Sequence, residues 1–157
     1  MAEDEPGLAC DEMLGHLATW LRLLGFDAPY LRRSRDPAEL DRAHVDGYVL
    51  VTRARQLAER YQPSILVHAD DPPGQLAEVL RALGHAPRPA RFFTRCARCN
   101  VALEPVGREA VRDRVPAAAL AAFDDFTRCP RCRRSYWPGG HVDRFLRAVE
   151  PVLLAEA

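Results

Sequence analysis

Apolar residues recur every three or four positions at Met13, Leu14, Leu17, Trp20, Leu21 and Leu24. That spacing gathers them on one face of a helix, so residues 12–24 are predicted helical, with Gly25 placed to end the helix. Residues 6–11 predict a first strand that ends at Asp11, and residues 26–31 predict a second strand. Asp36-Pro37-Ala38-Glu39 has the form of a helix start. Asp36 caps, Pro37 sits in the first turn, and Glu39 closes a capping box. The helix runs from there toward Gly47. Tyr48-Val49-Leu50-Val51-Thr52 is a short apolar run rich in β-formers, the pattern of a buried parallel strand. Residues 53–60 read as helix, 64–67 as a fourth strand, and Gln75 to Leu83 as a helix stopping before Gly84. Strands alternating with helices predict an α/β layer fold with a mainly parallel sheet.

The pattern changes at Pro87, Arg88, Pro89 and Arg91, a stiff basic connector. It divides the chain into an α/β domain over 1–90 and a second module over 91–157. That module holds a short helix at 116–123 and a closing helix at about 142–154. A chain of 157 residues suits one compact domain plus a small metal-stapled module. The staple is predicted from Cys96-Ala97-Arg98-Cys99 and Cys129-Pro130-Arg131-Cys132, two C-x-x-C pairs separated by 29 residues. Two such knuckles can close a tetrahedral thiolate cage around zinc. A pair of disulfides is the competing reading. The first residues, Met1 to Pro6, are acidic and unlike a signal peptide, and no apolar run is long enough to span a bilayer. A reducing, cytoplasmic compartment follows as the expectation, and there paired cysteines favour metal. Cys10 has no C-x-x-C partner and reads as a small buried core residue.

Formal net charge is zero, but it is unevenly spread. Through residue 85 there are 9 Arg against 14 Asp and Glu, whereas residues 86–147 hold 13 Arg against 6. The chain has no lysine. Compositional bias explains the missing lysine but not the asymmetry. Arginine pairs bidentately with phosphate and stacks on bases, so the basic half suits nucleic acid.

Ligands of an open parallel sheet bind beyond the carboxyl ends of its strands. Asp11 falls at such an end, Thr52 and Arg53 at another, and Asp70 and Asp71 at a third. Asp36 and Glu39 begin the second helix and can reach the same edge. Clustered carboxylates hold magnesium or manganese, and such ions activate water against a phosphodiester. Helix capping accounts equally well for Asp11, Asp36 and Glu39, and a solvated turn accounts for Asp70 and Asp71.

The run Cys10-Asp11-Glu12-Met13-Leu14-Gly15 leading into Trp20-Leu21-Arg22-Leu23-Leu24-Gly25-Phe26-Asp27 resembles the opening of the Mut-seven carboxy-terminal RNase domain family. The likeness continues through Asp36 to Leu40, Val49 to Arg53, Gln75-Leu76, Arg95-Cys96-x-x-Cys99-Asn100, and Cys129-x-x-Cys132 with Tyr136-Trp137 and Gly139-Gly140-His141. It implies a PIN-like nuclease fold with a zinc ribbon at its end. It further implies an acidic site on Asp11 and on the Asp36/Glu39 segment, with Glu39 the preferred ligand of magnesium or manganese. Relatives read Thr-Arg-Asp where this chain reads Thr52-Arg53-Ala54, so an expected carboxylate is a methyl group. Either Glu12, Asp70 or Asp71 substitutes, or the site is impaired.

Arg53 and Arg55 flank that gap and contact phosphate or form a solvated helix face. Arg95, Arg98, Arg128, Arg131, Arg133 and Arg134 surround the knuckles and read as a phosphate-binding surface, with ordinary solubility of the ribbon as the competing reading. Tyr136 and Trp137 stack on bases or pack the ribbon, and four thiolates leave His141 outside the zinc shell. The resulting expectation is a metal-dependent ribonuclease acting on single-stranded RNA. Its rivals are a catalytically impaired RNA-binding relative and a zinc-stapled interaction protein. The charge asymmetry counts against the last.

Overall fold

The computed structural model describes residues 5–156. The acidic start at Met1 to Asp4, read above as unlike a signal peptide, lies outside them. A parallel three-stranded sheet is built from β1 (Leu8–Cys10), β2 (Val49–Thr52) and β3 (Ser64–Leu66) in that spatial order. The register pairs Cys10 with Val51 and Thr52 with Leu66. Around the sheet lie α1 (Gly15–Leu23), α2 (Pro37–Val45), α3 (Arg55–Arg60) and α4 (Pro72–Leu83). The α/β class and its parallel sheet are as predicted. Because successive side chains on a strand point to opposite faces, Leu8, Cys10 and Val51 join Leu17, Leu21, Leu76 and Leu80 in the larger core. Ala9 and Leu50 instead meet Leu31, Leu40 and Tyr61 on the other face.

Residues 26–31 do not form the strand predicted for them. They run beside β1 through Leu8 N–H to Asp27 O (2.8 Å), Cys10 N–H to Pro29 O (2.9 Å) and Leu31 N–H to Cys10 O (2.8 Å), with one parallel bridge, Cys10 to Tyr30. Pro29 has no N–H to extend the ladder. Two helices also start earlier than predicted. The last one begins at Gly140, and α4 begins at Pro72, because Asp71 caps its Gly74 N–H (3.1 Å) and proline is tolerated in a first turn. Gly25 ends α1 at φ +96°, and a Cβ there would lie 2.5 Å from the Arg91 carbonyl, so glycine is what lets the connector pack against the end of the helix.

The basic half forms a second sheet, antiparallel, of β4 (Glu104–Val106), β5 (Phe126–Arg128) and β6 (Ser135–Tyr136). Two short helices, α5 (Arg108–Val111) and α6 (Ala117–Ala122), lie between β4 and β5. Its own core is small: Val111, Val115, Ala119 and Phe126, with Trp137 packed against them. The closing helix α7 (Gly140–Ala155) packs on α4 and buries Val149 and Val152 in the larger core, beside the parallel sheet. No helix of the described residues is long and apolar enough to cross a membrane.

Candidate functional site

Asp11 is 2% exposed and stands at the carboxyl end of β1. Its Oδ1 accepts from Met13 N–H at 2.9 Å, capping the 3-10 turn that precedes α1. Its Oδ2 accepts from the Thr52 hydroxyl and from Arg53 N–H (3.2 Å) at the end of β2. Thr52 Oγ1 in turn accepts from Ala54 N–H at 3.0 Å. One carboxylate thus joins the ends of two strands. A carboxylate offers about four lone-pair positions. Three are used here, and the free one is on Oδ1.

The 33–39 segment docks beside this point. Glu12 N–H donates to Ser34 Oγ (3.2 Å), and Arg35 pairs with Glu12 at 3.5 Å. Asp36 caps α2 through Ala38 N–H (3.0 Å), as predicted. Glu39 does not close the predicted box onto its own cap residue. Its Oε2 accepts from Arg33 N–H (3.0 Å), because Asp36 N–H is taken by the Arg33 carbonyl (2.7 Å). Asp71 is a helix cap, and Asp70 is held by Arg53 Nη2 at 2.6 Å. The Arg53 guanidinium therefore faces a carboxylate, and Arg55 is exposed at the start of α3. Ala54 is the uncapped N-cap of that helix. Glu78, which the sequence did not single out, accepts from His68 and Ala69 N–H. Burial alone would raise its carboxyl, but those two bonds together with the His68 imidazole outweigh it and hold it below the ordinary value.

Among the described residues, the one group of three or more His, Cys, Asp or Glu placed to share a metal ion is Cys96, Cys99, Cys129 and Cys132, with sulfurs within 4.8 Å of one another. All four are free of disulfides. The two knuckles repeat one bond pattern. Cys96 N–H reaches Val101 O and Asn100 N–H reaches Cys96 O, while Cys129 N–H reaches Arg134 O and Arg133 N–H reaches Cys129 O, all at 2.9 Å. Asn100 and Arg133 both take φ 66° to close these turns. Cys99 and Cys132 N–H point at the first sulfur of their knuckles (both 3.4 Å). At Cys96, burial opposes ionisation. The Tyr136 hydroxyl (3.1 Å) and nearby backbone N–H groups outweigh it and bring the thiol down to about 7. Such a set can hold a metal ion and is consistent with structural zinc. Cys10, by contrast, is wholly buried, and burial pushes its thiol up to about 12.

The first knuckle is bolted to the parallel-sheet domain. Arg22, 8% exposed, donates Nε to Ala28 O (2.8 Å) and Nη1 to Ala97 O (2.9 Å) and Arg98 O (3.2 Å). Asn100 donates Nδ2 to Asp27 (2.7 Å) and accepts from Ala28 N–H (2.9 Å). Tyr48 donates to the other Asp27 oxygen at 2.8 Å, and burial together with that carboxylate pushes its phenol up to about 12. The sequence reading missed this clamp. Its one signal is an arginine four residues after the buried Ala18 on α1. Replacing Arg22 with methionine strands three carbonyls and is expected to cost about 3 kcal/mol. A thermal melt checks this, and a midpoint unchanged from the wild type would contradict it.

Along this seam runs a groove of about 840 Å³ whose lining includes Tyr30, Arg32, Arg95, Arg98 and Arg131. Tyr30 pairs with Cys10 and donates its hydroxyl to Glu12 O (2.6 Å), so the groove wall reaches the residues flanking Asp11. None of these four arginines meets a carboxylate in the ion pairs of the described residues. Of the predicted phosphate contacts, Arg95, Arg98 and Arg131 converge here, Arg133 lines an adjoining cavity, and Arg53 and Arg55 line neither.

A parallel three-stranded sheet flanked by helices, four cysteines placed to hold a metal ion, and a groove lined by arginines make up this site. The Mut7-C RNAse domain matches residues 6–149, nearly the whole chain, and the protein belongs to that family. Comparison with curated proteins and with solved structures returned no match. The family implies RNA as substrate or partner.

Proposed function

We propose that the protein is a metal-dependent ribonuclease acting on single-stranded RNA. The observation that carries this is the buried Asp11 carboxylate at a strand end, beside a groove whose arginines have no acidic partners. Such arginines are available to the phosphate backbone. The acids suit an ion site completed by substrate. Magnesium is commonly bound through one or two carboxylates plus waters and phosphate oxygens. In this reading Asp11 and Glu39 would be the protein's carboxylate ligands, with Asp36 capping the helix that carries Glu39; the contacts of Ser34 and Arg35 with Glu12 support it by docking the 33–39 segment next to Asp11. Bound there, magnesium or manganese supplies an acidified water and charge stabilisation at the leaving oxygen. The protein's own part is to hold Asp11 rigid through Thr52 and Arg53, and to fix the phosphates through Arg95, Arg98 and Arg131. Zinc in the four-cysteine site keeps those three arginines in place.

Incubation with single-stranded RNA and manganese is expected to give cleavage that the metal-free control lacks. Binding without cleavage, steeply weakened by salt, would instead support an impaired RNA-binding protein, a reading favoured by Ala54. Ala54→Asp separates the two. It restores a carboxylate beside Asp11 and caps α3, where no side chain now does so. The cap stabilises by about 1 kcal/mol. If the missing acid limits turnover, cleavage rises together with the melting temperature. A higher melting temperature with unchanged cleavage would show that position 54 does not limit the reaction.

A further inference from the structure

Two cavities adjoin at Tyr136, Trp137 and His141, which line both. The first, about 290 Å³, is walled by Leu23, Phe93, Val142 and Phe145, with Asp125 and Thr127 as its polar members. That is near the lower limit of small-molecule pockets, about 300 Å³, and suits one planar ring system. The second, about 520 Å³, is lined by Arg98, Arg114, Arg133, Arg134 and Ser135. None of its arginines takes part in an ion pair of the described residues, whereas Arg35, Arg53, Arg81, Arg91, Arg108 and Arg112 all do. Cys132 of the four-cysteine set also lines the cavity and offsets part of this charge; four guanidinium groups that meet no carboxylate around one cavity still suit an anion of high charge density. The Ser135 hydroxyl there is buried without a hydrogen-bond partner. The Trp137 and His141 rings, which line both cavities, meet edge to face at 5.6 Å. Glycine at 139 permits this wall, since a Cβ there would fall 2.8 Å from Trp137 Nε1.

An apolar slot with an aromatic wall and a polar rim, joined to a cationic bowl, has the two-part chemistry of a nucleotide. We propose that it binds one nucleotide carrying a terminal phosphate, with the base against Trp137 in the apolar cleft and the phosphate among Arg98, Arg114, Arg133 and Arg134. A phosphate monoester carries about −1.5 to −2 charge at neutral pH, which justifies four arginines where an internal diester would need fewer. Base stacking on an aromatic side chain contributes about 1–3 kcal/mol. Arg98 also lines the groove at the seam, so the two basic cavities share that residue. The proposal rests on the RNA reading above and deepens it: the site would anchor the phosphorylated end of an RNA, or a free mononucleotide of the same chemistry.

The test follows the two indole N–H resonances of the full chain, Trp20 and Trp137, with Trp137→Phe giving the assignment. Adenosine 5′-monophosphate is expected to shift the Trp137 signal, and to bind at least about tenfold more tightly than adenosine or inorganic phosphate alone. Val142→Trp, which fills the cleft, and Arg114→Ala with Arg134→Ala, which thins the bowl, should each weaken binding by about tenfold or more. A short RNA with a 5′-phosphate binding more tightly than its 5′-hydroxyl counterpart identifies an RNA end as the source. Equal affinity for the two RNAs, with the monophosphate still bound, identifies a free nucleotide. No Trp137 shift with the monophosphate, or a shift retained in both variants, overturns the proposal. These readouts do not involve cleavage, so a protein that fails to cut RNA yet shifts Trp137 upholds the site while refuting the nuclease reading.

Discussion

Stripping the metal with a strong chelator, or replacing Cys96 and Cys129 with serine, is expected to unfold the segment from about residue 93 to 137 and to release its hold on the parallel-sheet domain. The reason is the size of its core. Four buried side chains, Val111, Val115, Ala119 and Phe126, are the apolar interior of the antiparallel module, and so small a core rarely supplies more than about 3–5 kcal/mol. Structural zinc in small metal-folded peptides contributes about 10–16 kcal/mol. The metal term therefore dominates there. The first domain keeps its own core of Leu8, Leu17, Leu21, Phe26, Leu76 and Leu80 and should retain its secondary structure. It loses the bonds from Arg22 to Ala97 and Arg98 and from Asn100 to Asp27. Two transitions should replace one in a melt followed by circular dichroism, with Trp137 exposed in the first and Trp20 in the second. Protein purified under reducing conditions should carry one zinc per chain. A single unshifted transition after complete metal removal would refute the staple.

Asp11→Asn should lose both stability and cleavage. Both carboxylate oxygens accept from backbone N–H groups, Met13 on one side and Arg53 on the other. Whichever way an asparagine amide turns, its NH2 faces a donor. One donor-to-donor contact in a buried site costs about 1–3 kcal/mol, and each kcal/mol lowers the melting temperature of a domain this size by roughly 2–4 °C. Cleavage measured well below that midpoint should fall by about 100-fold or more, as for loss of a positioned catalytic group. Asp11→Ser separates the two roles, because serine is a good N-cap without the charge. It should keep the cap on Met13 N–H, lose the tie to Thr52 and Arg53, and so recover part of the stability and none of the cleavage. Normal cleavage by Asp11→Ser would remove Asp11 from the chemistry and leave it a cap and strand tie.

Much of this molecule is written locally along the chain. A C-x-x-C pair places two thiolates on one turn whatever surrounds it, so both knuckles were readable as metal ligands before any fold was known. Leu14, Leu17 and Leu21 mark one helix face by period alone, and Val49 to Thr52 mark a strand by continuous apolar character. Asp11 and Asp36 could be recognised as potential caps because capping involves residues two or three positions away, whereas Asp71, read as part of a solvated turn, proved to be the cap of α4. The strand expected at 26–31 failed on a local point, since Pro29 withholds the N–H that a ladder needs.

What no local pattern contains is the choice of partner for each charge. Arg53 looks from sequence like a phosphate ligand, yet β3 brings Asp70 to it. Arg22 looks like a flanking residue of an amphipathic helix, yet it ties that helix to carbonyls 75 and 76 positions away. Arg32 and Arg131 share one groove although they lie 99 positions apart. Helical period, strand alternation and ligand spacing are short-range properties of a polymer, so they survive in the linear order of residues. The meeting of distant side chains depends on how two layers close against each other, and that closure settled which arginines were neutralised and which were left to face solvent.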